Sequence, residues 1–360
     1  MVRKRTNTTL KDIANVIGCS ISQVSAVLNN SKTGTVVSAA KRELIRKTAA
    51  EMGYTPDFAS QALRKRRTDT IGIYMKRGPW SGLSNSYETA ICRGISRTAS
   101  EKNFDILFFN LGCDIPDDIC TEKLDRSRCD GVIIISAEKN CRWIQNAVEK
   151  GHKLVSVGSE LHIKNLVKVS FDEEKAVETA LEKLCASGHR RIGFISHCLE
   201  NPITCREEIF RSKAEKYGCE FSEELIFNVG KMDVPLALDS PFCQMSGKLG
   251  MEYFKRISQA PTAVIAADYL IAVSAMQRAA ELGINIPSDM SMTAIDDHDF
   301  LEFLTPQLSV VDHRLEDMGS IAAQKLIEMV TTGKTPDDVI ISPRWIERSS
   351  IAKADKGDKK

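Results

Sequence analysis

Between residues 70 and 296, short apolar runs alternate with amphipathic stretches of helical length, and no other feature limits the fold so tightly. TIGIYM (70–75) precedes a predicted helix over 87–101, FDILFFNL (104–111) one over 117–127, and GVIIISA (131–137) one over 141–150. KLVSVGS (153–159) and VKVSFD (167–172) follow. The alternation then restarts with helix 173–187, strand RIGFIS (191–196), helices 204–217 and 245–259, strand AVIAAD (263–268), helix 270–282 and strand SMTAID (291–296). Strand, helix and strand in succession pack back as a right-handed crossover, so the pattern predicts parallel sheets. Two series predict an α/β core of two doubly wound parallel-sheet subdomains with a cleft between them. Ligands in such folds sit beyond the carboxyl ends of the strands.

A chain of 360 residues is too long for one core, and its first 56 residues read differently, as a small all-α head. A helix is predicted over Leu10–Ile17, with Thr9 as N-cap, Asp12 in the first turn and Ile13, Ala14 and Ile17 on the inner face. Gly18 ends it, because the left-handed backbone costs least at glycine. Ser20 caps a second helix whose inner residues are Ile21, Val24, Val27 and Leu28. The placement of Ala14, Gly18 and Val24 is that of a helix-turn-helix. A third helix, Ala39–Met52, closes the core with Leu44, Ile45, Ala49 and Met52 and stops at Gly53 and Pro56.

Charge points to the partner. Residues 1–67 hold thirteen Lys and Arg against four acids, a net +9, which leaves −8 for the rest of a chain whose total is +1. A basic head on an acidic body is suited to a polyanion. The second helix would enter the major groove of double-stranded DNA. Its outward residues Ile21, Ser22, Gln23 and Ala26 are candidates for base edges, glutamine because it pairs bidentately with adenine. Arg5 and Lys32 are among the cations expected on phosphates. Thr9, Ser20, Ser25, Asn29 and Arg64 complete the candidate DNA contacts. One head buries little area, so a homodimer on a pseudo-palindromic operator is expected.

PDFASQALRKRRT (56–68) joins head to body, with helix potential from Asp57 to Arg64 and Asp57 as cap. A segment this short is not helical alone in water. It is either a plain tether or a hinge that folds against DNA or a dimer mate. In the second case Leu63 can wedge into the minor groove and kink it.

Several classes are excluded. No apolar run reaches 18 residues, and the basic start MVRKRTNTT is followed by no apolar stretch, so neither a membrane span nor a signal peptide is expected. Eleven scattered cysteines without C-x-x-C spacing read as reduced thiols of a cytoplasmic protein. No Cys/His set has metal spacing, and no phosphate loop, dinucleotide fingerprint or nucleophile elbow occurs. No cofactor, metal or catalytic residue is expected; Asp296, Asp297 and His298 are consecutive, so after a strand they diverge.

The sequence resembles the lactose-repressor (LacI/GalR-type) transcription regulators over about residues 8–348. TLKDIANVIGCSISQVSAVLNN is similar to that family's DNA-reading head and MGYTPDFASQALRKRRTDTIGI to its hinge and first core strand. NSYETAICRGI, DGVIII, GHRRIGFI, PTAVIAAD and AIDD continue the order. The resemblance implies a repressor with a periplasmic-binding-protein-like core, allosterically controlled by a small ligand, often a sugar or nucleobase, between the lobes. It matches Leu63 to the hinge leucine, Tyr87 to a stacking aromatic, Arg206 to the cleft arginine, Asp296 to a cleft carboxylate and Phe242 to an aromatic wall. The chain departs from the family at Ala26, where an arginine is frequent, at Ala267 (asparagine), Gly158 (an acid), and Ile209 and Lys175 (glycines). The implied division is a head over 1–56, a hinge over 57–69, a core over 70–350 and a disordered charged tail over 351–360. Within the core, one lobe takes about 70–170 and 310–335, the other about 171–309 and 336–350. Two alternatives stay open: the same fold controlled by a partner protein, and a solute-binding protein without a DNA role.

Overall fold

The computed structural model describes residues 8–28, 37–75, 83, 85–109, 116–137, 141–159, 161–196, 202–231 and 242–354, with side chains at all of these except 58, 59, 117, 202–205, 242 and 243. It divides into a unit over Met1–Thr68 and a unit over Asp69–Lys360.

The first unit contains α1 (Leu10–Ile17), α2 (Ile21–Leu28), α3 (Ala39–Glu51) and α4 (Phe58–Lys65). Thr9 and Asp12 satisfy each other's backbone amides in a capping box, and Gly18 ends α1 in the left-handed region at φ 70°. Ile13, Ala14, Val24, Val27, Val37, Ile45 and Ala49 form the core, with Tyr54 packed against it. Two inner assignments are corrected. Ile21 and Leu44 are 47% and 49% exposed, because the first turn of α2 and one side of α3 face away from the small core.

The second unit is built from strands β1 (Thr70–Met75), β2 (Asp105–Phe109), β3 (Gly131–Ile135), β4 (Leu154–Val157), β5 (Val167–Phe171), β6 (Ile192–Ser196), β7 (Ile226–Asn228), β8 (Ala263–Ala266), β9 (Ser291–Ile295), β10 (Ser309–Asp312), β11 (Val339–Ile341) and β12 (Arg344–Ile346). Its helices are α5 (Ser86–Glu101), α6 (Asp117–Asp125), α7 (Arg142–Glu149), α8 (Glu173–Ala186), α9 (Pro202–Lys213), α10 (Phe242–Arg256), α11 (Tyr269–Glu281) and α12 (Leu315–Thr332). Among the described residues the strands form two six-stranded sheets, ordered β11-β5-β4-β3-β1-β2 and β12-β10-β9-β8-β6-β7. Every pairing is parallel except β10 with β12. Both sheets reverse strand order beside their first strand, β1 and β6, which is where doubly wound folds hold ligands.

The chain passes between the lobes three times, after β5, after β10 and after β11. This corrects the expected return. β10 belongs wholly to the second sheet and β11 to the first, where it pairs with β5, while β12 rejoins the second. Strands of three or four residues are too short to display a period, and their pairing partners alone assign them. The helix between them, α12, lies on α5 at contact distance. A Cβ on Gly94 would fall 1.8 Å from the Glu316 carbonyl oxygen, and one on Gly319 would fall 1.9 Å from that of Ile91. Only glycine permits that crossing. The tail is corrected in part: Ala354 N–H bonds the Ser187 carbonyl at 2.8 Å and Ala352 N–H bonds Ser291 Oγ at 3.0 Å. Residues 355–360 lie outside the described set. Among the described residues no helix is long and apolar enough to cross a membrane.

Candidate functional site

In the head, the polar ends of the helices are occupied before any partner arrives. Thr9 Oγ1 donates to Asp12 Oδ2 at 2.7 Å, and hydrogen bonds from the Thr9 side chain, then its backbone, lower the Asp12 carboxyl below its ordinary value. Gln23 N–H donates to Ser20 Oγ at 3.2 Å while Ser20 N–H approaches Gln23 Oε1 at 3.4 Å, a second reciprocal cap. Gln23 therefore carries a structural task that a base reader does not need. Ile21 and Ser22 are exposed on the first turn of α2, and Ser25 is half-buried. Ala26 is 7% exposed, which corrects its outward placement: its position on α2 turns it toward the head's interior. Arg64 Nη1 reaches Ser25 Oγ at 3.5 Å, so the connector's last turn touches the second helix. Asp57 caps α4, which ends at Arg66 in the left-handed region, and Leu63 stands 82% exposed on it. Arg5, Asn29 and Lys32 lie outside the described residues.

In the second unit, the crossing segments bring a compact polar cluster together. Arg206 of α9 is 2% exposed. Its Nε donates to Glu173 Oε2 at 2.7 Å, its Nη1 to the Ala267 carbonyl at 2.5 Å, and Nη1 lies 3.5 Å from Asp296 Oδ2. His313, on the second crossing, places Nδ1 2.6 Å from Asp296 Oδ1. A carboxylate accepts, so Nδ1 carries the proton. The 3.3 Å approach of Arg206 Nη2 to the same nitrogen then sets donor against donor and is a contact only. Phe171, at the end of β5, stacks on the His313 ring with centroids 4.0 Å apart and 18° between planes. Burial alone would raise the Asp296 carboxyl; His313 and Arg206 reverse that and hold it below the ordinary value. Asp296 also sits at φ 73°, a left-handed backbone unusual for a non-glycine.

Tyr87 reaches the same cluster from α5. Burial raises its phenol, and the Asp296 and Glu173 carboxylates raise it further. Its hydroxyl lies 2.2 Å from where a Gly158 Cβ would stand, so the absence of a side chain at 158 makes room for the phenol. The Ala267 departure is likewise filled, its carbonyl serving Arg206. The Phe242 side chain lies outside the described residues. Sequence reasoning missed Glu173, His313 and Phe171. Each stands at the carboxyl end of a strand, in SFDEE and VVDHR, and that position was the available signal. Glu173 Oε1 and Ser196 Oγ are buried without a hydrogen-bond partner. Ser86 Oγ meets the Tyr269 hydroxyl across the lobes, where Tyr269 packs with His298 and Phe300.

Residues 9–57 match the family model for bacterial regulatory proteins, lacI family, and residues 181–351 match the periplasmic binding protein-like domain. The chain belongs to the lacI family. Relatives of this lacI-family regulator include the probable HTH-type transcriptional repressor ExuR of Bacillus subtilis (strain 168), 25% identical over 95% of this chain and 98% of that protein. The ribose operon repressor of Haemophilus influenzae is 26% identical over the same shares of the two chains. In fold it is similar to the lac repressor dimer bound to operator and the anti-inducer ONPF, with a TM-score of 0.78 at 18% identity over 96% of this chain and all of that one. The CelR–cellobiose complex has the same fold, with a TM-score of 0.67 at 24% identity over 96% of this chain and all of that one. As a lacI-family protein it is a DNA-binding transcription regulator whose reader is the helix-turn-helix head.

Proposed function

We propose that this regulator is a homodimeric repressor whose two heads grip a pseudo-palindromic operator, and that a small hydroxylated ligand, a sugar or close relative, bound between the lobes changes that grip. It acts by binding and performs no catalysis. The observation that carries the reading is the convergence of Arg206 and Asp296 with Glu173 and His313, the latter two standing where the chain crosses between lobes after β5 and β10. A ligand hydroxyl that donates to Glu173 Oε1 would satisfy a carboxylate oxygen now buried without a partner. Tyr87 and Phe171 supply the aromatic faces that such a cleft uses to exclude water. A relative named for the ribose operon supports a sugar as the ligand class. Because the cluster bridges the lobes, a ligand there has different contacts in open and closed arrangements, and that difference is the source of coupling.

The test is selection of bound duplexes from a random pool by the full-length protein, followed by anisotropy titrations of the selected site with pentoses, hexoses and disaccharides. The expected result is a two-fold-symmetric site whose affinity shifts roughly 5–150-fold with one sugar class. A selected site with no symmetry, or an affinity indifferent to all of them, counts against the proposal.

A further inference from the structure

Cys185 and Cys219 stand apart from both sites. Cys185 is the next-to-last residue of α8, and Cys219 follows Gly218, the left-handed residue that closes a 3₁₀ turn over Glu215–Tyr217. Their sulfurs are 3.1 Å apart. Cys185 is half-buried; Cys219 is buried. Arg190 lies beside them, its Nη1 donating to the Cys185 carbonyl at 2.9 Å. The Cys219 thiol and then the Arg190 charge outweigh burial and draw Cys185 down to about 7, while the same sulfur contact and burial push Cys219 up. One thiol is thus partly ionised at neutral pH and only half-buried, and the other is a buried, protonated thiol held against it. That is the arrangement of an attacking and a resolving cysteine.

We propose that Cys185 and Cys219 form a peroxide-reactive thiol pair that closes to a disulfide. The Cys185 thiolate attacks one oxygen of a hydroperoxide and the O–O bond breaks. The departing oxygen takes a proton and leaves as alcohol, or as water from hydrogen peroxide, and Cys185 becomes a sulfenic acid. The Cys219 sulfur then attacks the Cys185 sulfur; its proton and the sulfenic hydroxyl leave together as water. Two thiols have lost two electrons and two protons, and the peroxide has taken up both.

Closure asks the sulfurs to move from 3.1 Å to about 2.05 Å. The Cys219 side can supply this, because the 3₁₀ turn before it has no side-chain cap and its Lys216 ion pair to Glu178 is at the surface. The pair is remote from the ligand cluster. Glu173 opens α8, and at about 1.5 Å per residue Cys185 lies roughly 18 Å further along the helix. Oxidation here is therefore readable whatever the cleft binds.

The test uses the full-length protein, reduced and desalted, then treated with hydrogen peroxide and read by intact mass and a non-reducing peptide map. The expected product is two hydrogens lighter, contains a linked Cys185–Cys219 peptide pair, and reverts with dithiothreitol. Alkylation of Cys185 at neutral pH is expected to run roughly five- to ten-fold faster than that of half-buried Cys19. In Cys219→Ser the Cys185 sulfenic acid persists and is trapped by a cyclic dione; in Cys185→Ser no linked species forms. The proposal is overturned if the wild-type protein keeps both thiols under peroxide that oxidises another of its cysteines, or if it accumulates Cys185 sulfenic acid unlinked. Should either serine variant fail to fold, the wild-type map decides alone.

Discussion

Asp296 shows how much one residue's setting governs. Its left-handed backbone, its bond from His313 and its approach to Arg206 are all invisible in the dipeptide DD of the sequence. Its folded pKa lies below the ordinary aspartate value, so the stability it contributes is complete above that value, about 3.9, and is lost as pH falls through the depressed one. Asp296→Asn keeps a residue tolerant of left-handed backbone and removes the titration. Urea midpoints taken from pH 6 to pH 3 should fall less steeply for the variant than for the wild type; parallel slopes would show that the carboxylate is not held as described. In the head, Gln23 is occupied as a cap and Ala26 is buried, which leaves exposed Ile21 as the residue we propose for apolar reading by the first turn. An apolar side chain in the major groove reads the thymine methyl. Replacing thymine by uracil in the operator should cost about 1 kcal/mol at the contacted step. Ile21→Ala should erase the difference between the two bases, as measured by anisotropy.

At the scale of elements, α5 and α12 are joined by a glycine on each. Gly319→Ala would push a methyl into the Ile91 carbonyl, and the helices would have to part. A loss of about 3 kcal/mol is expected, visible as a drop of several degrees in the calorimetric midpoint; a midpoint within one degree of wild type would mean that the crossing is looser than the structure gives. The connector helix α4 is different in kind. It spans eight residues, too few for a stable isolated helix, yet it has a cap at each end and presents Leu63 to solvent. Leu63→Ala should weaken operator binding and reduce DNA bending, measured by circular-permutation mobility, while ligand affinity stays at the wild-type value. Unaltered bending would leave Leu63 without the wedge role.

For the whole molecule, the division of charge matters more than its total. A head of +9 on a body of −8 places the attraction for DNA where the reader is. Operator affinity should therefore fall by roughly 10³-fold or more between 50 and 200 mM salt. A response ten-fold or weaker over that range would indicate that few phosphates are met. The body repeats one strand order in two sheets, and two of the three chain crossings, those after β5 and β10, are where Phe171, Glu173 and His313 gather. The proposed ligand sensing suits that junction, because a cluster with members on both lobes and their connections responds to their relative position.

Periodicity and local chemistry in the sequence were enough to place α1 from Leu10 to Ile17, the caps at Thr9 and Asp57, the strands from β1 to β6, and the α/β character of the body. Each depends on neighbours a few residues away. The chain-end elements β10, α12, β11 and β12 were not legible, since strands of three or four residues belong to whichever sheet accepts them. Arg206 and Asp296 were found through a family resemblance, but their partners Glu173 and His313 were not. Those two are distant from them along the chain, and only the packing of both lobes sets them within hydrogen-bonding reach. Whether Ala26 and Leu44 are inside was likewise settled by how the three helices of the head pack: burial is a property of what an element packs against, and a linear pattern does not contain it.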